Sequence, residues 1–416
     1  MSIGTMKGST SITARLRRGG GLPVMVAALI LSGCGSADNS IPATIVPNKG
    51  GQFAVTVTAA ADFSSGAHSV INVGAPRMAQ NNLAPTTSDL GAACEGRFFY
   101  RIERFTRDNV TKFDVEQPDK AIYQYSTKDP SDAVSSNPSA MVFVDESRAY
   151  LLRYGSSKAW IVNPSAGSQA EFKIGELDLS AYDEGDGGPE MQDAVIVGDR
   201  LYIVLQRLST FQPTETAYVA VFNTFTDIEI DTGQGKVDGL KGVALTVRNP
   251  LAIEYLPDDG LIYVQAVGGF AFGSQPAGFT GGIESIDPED FNTRIVLDDG
   301  DDLSPAEFGQ IIDMALVSAN QGYFIGTAGF QDNTLYRFDP STGEVQSNVN
   351  GAAAIGGLFN RNLTTIAVDR NAKLWVGNGD FSAPGMVVID TRDDSIEEAL
   401  IGTGLNPVKT VFCETD

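Results

Sequence analysis

Short apolar, β-branched and aromatic runs recur in pairs along the chain, with polar or glycine-bearing links between them. "RAYLLRY" (148–154) is followed by "KAWIVNP" (158–164), "RLYIVLQRL" (200–208) by "AYVAVFNT" (217–224), and "LIYVQAVG" (261–268) by "GGIESIDP" (281–288). "GYFIGTAG" (322–329) precedes "NTLYRFDP" (333–340), and "KLWVGNGD" (373–380) precedes "MVVIDT" (386–391). Upstream, "RFFYRIERF" (97–105) precedes "NVTKFDV" (109–115), and "FAVTVTA" (53–59) precedes "HSVINV" (68–73), which makes seven pairs. Runs this short, bounded by turn residues, read as strands. Many pairs end in a turn such as "NPSAG", "DPED" or "DPSTG", where Asp or Asn opens the turn and Pro presets φ. A further strand follows each turn, as in "FKIGELDL" (172–179), and another precedes each pair, as in "AMVFVD" (140–145). A unit of four strands repeated around the chain predicts an all-β, seven-bladed propeller.

The pairs "RFTRDNVTKFDV" and "FQDNTLYRFDPSTG" resemble the YVTN-type β-propeller repeats of bacterial and archaeal envelope proteins, loosely related to YncE-like propellers, and the likeness runs over residues 51–416. The family's Asn after "YVT" is mostly missing, and the fifth pair carries a long insertion. The resemblance implies an architecture and no activity, because propellers host many.

One strand is out of place. Residues 406–413, "NPVKTVFC", read as the first strand of a unit, while the pair at 53–73 lacks a first strand. Joining them completes seven blades and closes the ring, with the C-terminal strand innermost in the N-terminal blade. The same alignment sets Cys94 and Cys413 on innermost strands of neighbouring blades. A disulfide between them requires a one-residue shift of register, and the turn after Cys94 is one residue shorter than the turn after Val144. Two buried free thiols are the other reading. A zinc site is excluded by ligand count.

The start of the chain sets an address. Residues 15–34, "RLRRGGGLPVMVAALILSGC", place basic residues before an apolar stretch and small residues, a secretory signal too short to span a bilayer. Leu31-Ser32-Gly33-Cys34 resembles the bacterial lipobox, which implies a signal peptide over 1–33, lipidation of Cys34, a tether over 34–52 and a propeller over 53–416. Gly35 in place of Asp points to the outer membrane of a bacterial envelope, with either the periplasmic or the surface face.

Charge then narrows the partners. The chain of 416 residues carries a net charge of −23, and its first 33 residues hold Lys7, Arg15, Arg17 and Arg18 with no acid, so the remainder is more acidic still. Such a surface repels nucleic acid and favours a soluble, monomeric propeller. Enzymatic signatures are sparse. The one histidine, His68, reads as a surface strand residue, and no nucleophile elbow, P-loop or dinucleotide fingerprint is present.

Two features gather on one predicted face. An aromatic residue recurs just past the second strand: Phe63, Phe105, Tyr154, Phe270, Phe330 and Phe381, with Leu208 in the fourth blade. Arg104, Arg153 and Arg207 precede three of these positions in consecutive blades, an arc suited to a carboxylate, phosphate or sugar acid, with Phe105 and Tyr154 beside it. Two acidic loops, with Asp183, Asp186 and Glu190 in one and Asp298, Asp299, Asp301 and Asp302 in the other, suit Ca2+. The favoured reading is non-catalytic: a membrane-anchored scaffold binding an envelope protein, a glycan or a small anion. The alternative is a propeller hydrolase or lactonase using a carboxylate-bound divalent metal. A deep axial cavity with three or more inward carboxylates would favour the enzyme, and a filled channel with a broad aromatic rim would favour binding.

Overall fold

In the computed structural model the described residues are 51–415, apart from 133, 237–238, 272–276, 302, 330 and 347–354. Cys34 therefore lies outside them, as do Asp302 and Phe330. The strands form seven antiparallel blade sheets around a ring, with a separate two-stranded sheet, Gly300–Asp301 and Ser304–Pro305, in the loop between blades 5 and 6. Blade 1 is ordered Asn406–Glu414, Gln52–Ala59, Gly66–Asn72, Ala79–Thr86, so the C-terminal strand completes the N-terminal blade as expected. The innermost strands of the next blades are Leu90–Glu95, Pro138–Asp145, Met191–Val197, Pro250–Leu256, Gln310–Ser318 and Leu363–Val368. Blade 6 departs from the four-strand plan: its sheet has three described strands, and a single bridge from Phe338 to Val345 stands where a fourth would begin.

The second strands explain the continuous apolar runs. Each is covered on both faces by the neighbouring blades, so the usual in-out alternation is suppressed. One position in this strand carries a large aromatic in six blades, Tyr100, Tyr150, Tyr202, Tyr263, Tyr323 and Trp375, and Val55 in blade 1, all buried. Each packs into the core between its own blade and the next, so that all seven interfaces have an apolar core.

Cys94 and Cys413 form a disulfide with Cα atoms 5.2 Å apart. The register question resolves locally. Cys413 lies opposite Phe53 and Cys94 opposite Phe99, and both phenylalanines enter the core between blades 1 and 2. In blade 3 a bulge at Phe143/Asp145 displaces Val144, whereas the blade 2 hairpin pairs Glu95 with Phe98 without one. That missing bulge supplies the shift.

His68 is a correction to the sequence reading: it is fully buried, not on the surface. Its strand, Gly66–Asn72, is buried along nearly its whole length. The ring packs edge-on against Phe99 and Phe113. Arg101 Nη1 donates to Nδ1 at 3.1 Å, which leaves Nε2–H to donate to the Pro118 carbonyl at 2.8 Å. Burial, and then the Arg101 charge, pull the His68 pKa down to about 3. In the unfolded chain the ring takes its proton near the ordinary 6.5, so this stability is present above that value and is lost as pH falls toward about 3. The protein is expected to lose about 3 kcal/mol from this group on acidification to about pH 4. His68→Gln should flatten that limb of the melting-temperature profile; an unchanged slope would contradict the account.

Candidate functional site

The loops joining second and third strands open on one face of the ring, and on the arc spanning blades 5, 6, 7 and 1 they enclose a cavity of about 890 Å³. Phe63, Phe270 and Phe381 line it from three blades and remain 73%, 48% and 59% exposed. These are three of the recurring positions marked in the sequence, and no blade interface absorbs them. Phe279, from the blade 5 insertion, adds a fourth ring to the lining. About half of the remaining wall is alanine, glycine and proline; the rest includes Glu307 and several amides and threonines, some of them tied down. Gln310 donates to the carbonyls of Val267 and Gly269 at 2.7 and 2.9 Å, and Asn333 donates to that of Leu363 at 2.6 Å. The amides hold the loops together around an apolar cup. Volume and lining suit a small organic ligand.

The cup continues inward. Ile312, Thr364 and Val408 line both it and an axial channel of about 430 Å³ between the innermost strands. Asp193, Glu254 and Asp313 reach into this channel from blades 4, 5 and 6, and Lys409 faces them from blade 1. The carboxylates also stitch the ring. Asp313 accepts the Ile366 N–H at 2.8 Å, and Glu254 accepts the Leu316 N–H at 3.2 Å, each from the next blade. Asp193 is held in the same way by the Ile253 N–H. Burial raises all three pKa values: Glu254, with Asp313 nearby, to about 8, and Asp313 to about 6 against its two backbone hydrogen bonds. The axial cavity with three inward carboxylates, the feature posed for an enzyme, is thus present; of the pair posed for binding, the aromatic rim is present but the channel is open, not filled. The signal for the carboxylates was an acid in the middle of an apolar inner strand, "MQDAVIV", "LAIEYL" and "IIDMALV".

The arginine arc is placed differently. Arg153 is 1% exposed and ion-paired with Asp132. It donates to the carbonyls of Thr127 and Lys158 and to Ser156 Oγ, and lies 4.6 Å over the Trp160 ring. Arg207 is buried, paired with Glu184, and bonded to the carbonyls of Tyr182 and Thr216. Arg104 sits 3.7 Å from Asp89 and 5.9 Å over the ring of Tyr154, whose hydroxyl donates to Gln206. Phe105 is 54% exposed and Arg104 partly exposed, while Leu208 is buried. Removing one partner of a buried pair strands the other charge. Arg153→Ala is therefore expected to destabilise the protein by about 3 kcal/mol or more, read by calorimetry. An unchanged melting temperature would contradict the pairing.

The acidic loops hold themselves. Asp183 Oδ1 accepts the N–H groups of Gly185, Asp186 and Gly187, and Asp298 Oδ1 accepts that of Gly300. Glu190 accepts the Leu208 N–H and is pushed up to about 8 by burial. Asp299, fully buried, accepts the Gly281 N–H and rises to about 7 for the same reason. Asp301 is exposed at the edge of a second groove with Asp298 and Leu303. Among the described residues no three acidic, histidine or cysteine side chains gather closely enough to hold a metal ion.

Among solved structures the fold has many counterparts. The periplasmic gluconolactonase PpgL of Pseudomonas aeruginosa aligns over 88% of this chain and 100% of its own at 12% identity, with a TM-score of 0.56. A protein from Lactobacillus plantarum aligns over 88% and 100% at 13% identity, with a TM-score of 0.54. Apo AztD of Citrobacter koseri aligns over 88% and 99% at 14% identity, with a TM-score of 0.50. No family model and no curated protein matches the sequence. At these identities the likeness establishes the class, a seven-bladed propeller of the architecture shared by lactonases and AztD, and nothing finer.

Proposed function

We propose that the protein is an envelope lipoprotein whose propeller binds a small organic ligand with an apolar body in the cavity on the 63/270/381 face. The observation that carries this reading is the convergence of Phe63, Phe270 and Phe381, all solvent-exposed, around a ligand-sized cup. Exposed apolar surface gathered around a concave, ligand-sized cup marks binding sites. The anion reading loses its support because Arg153 and Arg207 are bonded within the fold.

Titration with the neutral fluorophore N-phenyl-1-naphthylamine should show saturable binding at one site. Phe63→Ser and Phe381→Ser together should weaken it at least about tenfold without changing the melting temperature, since both rings are exposed. Binding that does not saturate, or that ignores both substitutions, would refute the reading. The envelope address rests on Leu31-Ser32-Gly33-Cys34. An alkyne fatty acid fed to cells should label the wild type, and label retained by Cys34→Ala would remove the anchor.

A second reading, lactone hydrolysis, is favoured by the inward carboxylates Asp193, Glu254 and Asp313. Under it, gluconolactone would be opened faster than the spontaneous rate, and Asp313→Asn would remove the excess. The binding reading expects no excess.

A further inference from the structure

We propose that the ligand of this cavity is an organic cation, its apolar body held among the phenylalanines at the mouth and its ammonium group seated in the axial channel below. This inference rests on the small-ligand reading and names the chemical class that the same site accepts.

Continuity is the first argument. Ile312, Thr364 and Val408 belong to both walls, so a molecule seated in the cup has a polar end within reach of the channel. Charge is the second. The channel lining holds three carboxylates, Asp193, Glu254 and Asp313, against one cationic side chain, Lys409. The blade 7 lining, 364–368, contributes no charge, and blades 2 and 3 do not line the channel. Three acids against one cation under low-dielectric walls favour an incoming ammonium, which draws the buried carboxyl groups into their charged form, and the aromatic faces at the mouth attract it as well.

Unmet hydrogen-bonding capacity is the third argument, and it is independent of the acids. Gln265 is fully buried and lines the channel; its Nε2 donates to the Ile311 carbonyl at 2.6 Å, yet its Oε1 has no partner. Thr364 Oγ1, on the wall common to cup and channel, is also without one. A buried acceptor left unpaired is costly, and an ammonium group carries three donors and no acceptor. The carboxylates are each anchored to a different blade and do not close on a common point that would hold a metal ion. That spacing suits a cation with its own bulk better than a bare one. Proton affinity agrees with the geometry: Glu254, raised to about 8, holds its proton at neutral pH in the empty channel, and an arriving ammonium would displace it.

The test uses three probes with one apolar tail: octylammonium, octanol and octanoate, titrated calorimetrically into the whole protein at about pH 7, with Ca2+ as a separate arm. Octylammonium is expected to bind at least roughly tenfold more tightly than octanol, and octanoate more weakly than either. Its binding enthalpy should vary with the ionisation enthalpy of the buffer, reporting release of a proton. Glu254→Gln and Asp313→Asn keep an oxygen for the N–H groups of Leu316 and Ile366, so both should fold and lose most of the preference for octylammonium over octanol, while Lys409→Met should increase it. Equal binding of octylammonium and octanol would overturn the cation proposal and leave the cavity reading intact. Failure of all three tails to bind would overturn both. Ca2+ binding that both carboxyl substitutions abolish, without octylammonium binding, would replace the organic cation by a metal and overturn the proposal.

Discussion

A chain lacking residues 406–416 is expected to lose cooperative folding and to aggregate. The strand Asn406–Glu414 pairs with Gln52–Ala59 along nearly its full length, from Gln52↔Glu414 to Ala59↔Asn406. Its loss would bare the N–H and C=O row of Gln52–Ala59, a strand buried throughout, and an unpaired apolar edge invites pairing with other chains. It would also remove Cys413 and Val411 from the core between blades 1 and 2, and Phe412, which packs edge-on against Trp375, from the core toward blade 7. Size-exclusion chromatography with a thermal melt by circular dichroism reads the outcome. A truncated protein that stays monomeric and melts in one sharp transition would contradict ring closure by this strand.

Opening the Cys94–Cys413 disulfide is expected to cost about 5 kcal/mol, because the bond closes a loop with a sequence separation of 319 residues and so constrains the unfolded chain strongly. Cys413→Ser and the reduced wild type should unfold at the same, lower guanidinium concentration. The two cysteines hold the last strand to blade 2 while β-pairing holds it to blade 1, so the cross-link and the hydrogen bonds guard one seam. Identical midpoints for oxidised and reduced protein would show that the bond contributes nothing to the seam.

Much of this architecture is legible in the sequence for a physical reason. Blades cover both faces of each second strand, so these strands appear as unbroken apolar runs with an aromatic at one position, and their repetition is visible without alignment. The orphan strand at 406–413 is legible because a repeat was missing its first member. The exposure of the aromatic after the second strand is not. Phe63, Phe270 and Phe381 are open and Tyr154 is half-buried; Tyr154 directly follows its strand and its hydroxyl donates to Gln206, whereas the three phenylalanines lie further out in longer loops. Two of the three arginines, Arg153 and Arg207, are taken into the fold: Arg153 follows an apolar run inward, and Asp132 comes to meet it from an interblade loop. Asp193, Glu254 and Asp313 are hard to single out because one acid in an apolar strand reads as a solvent-facing position. In a propeller the innermost strand faces the axis, and the solvent-facing position there is the channel.

Where a ligand sits on the ring is the central claim, and photo-crosslinking measures it directly. An octylammonium analogue carrying a diazirine on its tail, irradiated with the protein and mapped by peptide mass spectrometry, is expected to label peptides containing Phe63, Phe270 or Phe381, with labelling suppressed by excess unmodified octylammonium. Competed labelling confined to the opposite arc, on peptides containing Phe105 and Tyr154, would contradict the account and return the site to blades 2 to 4.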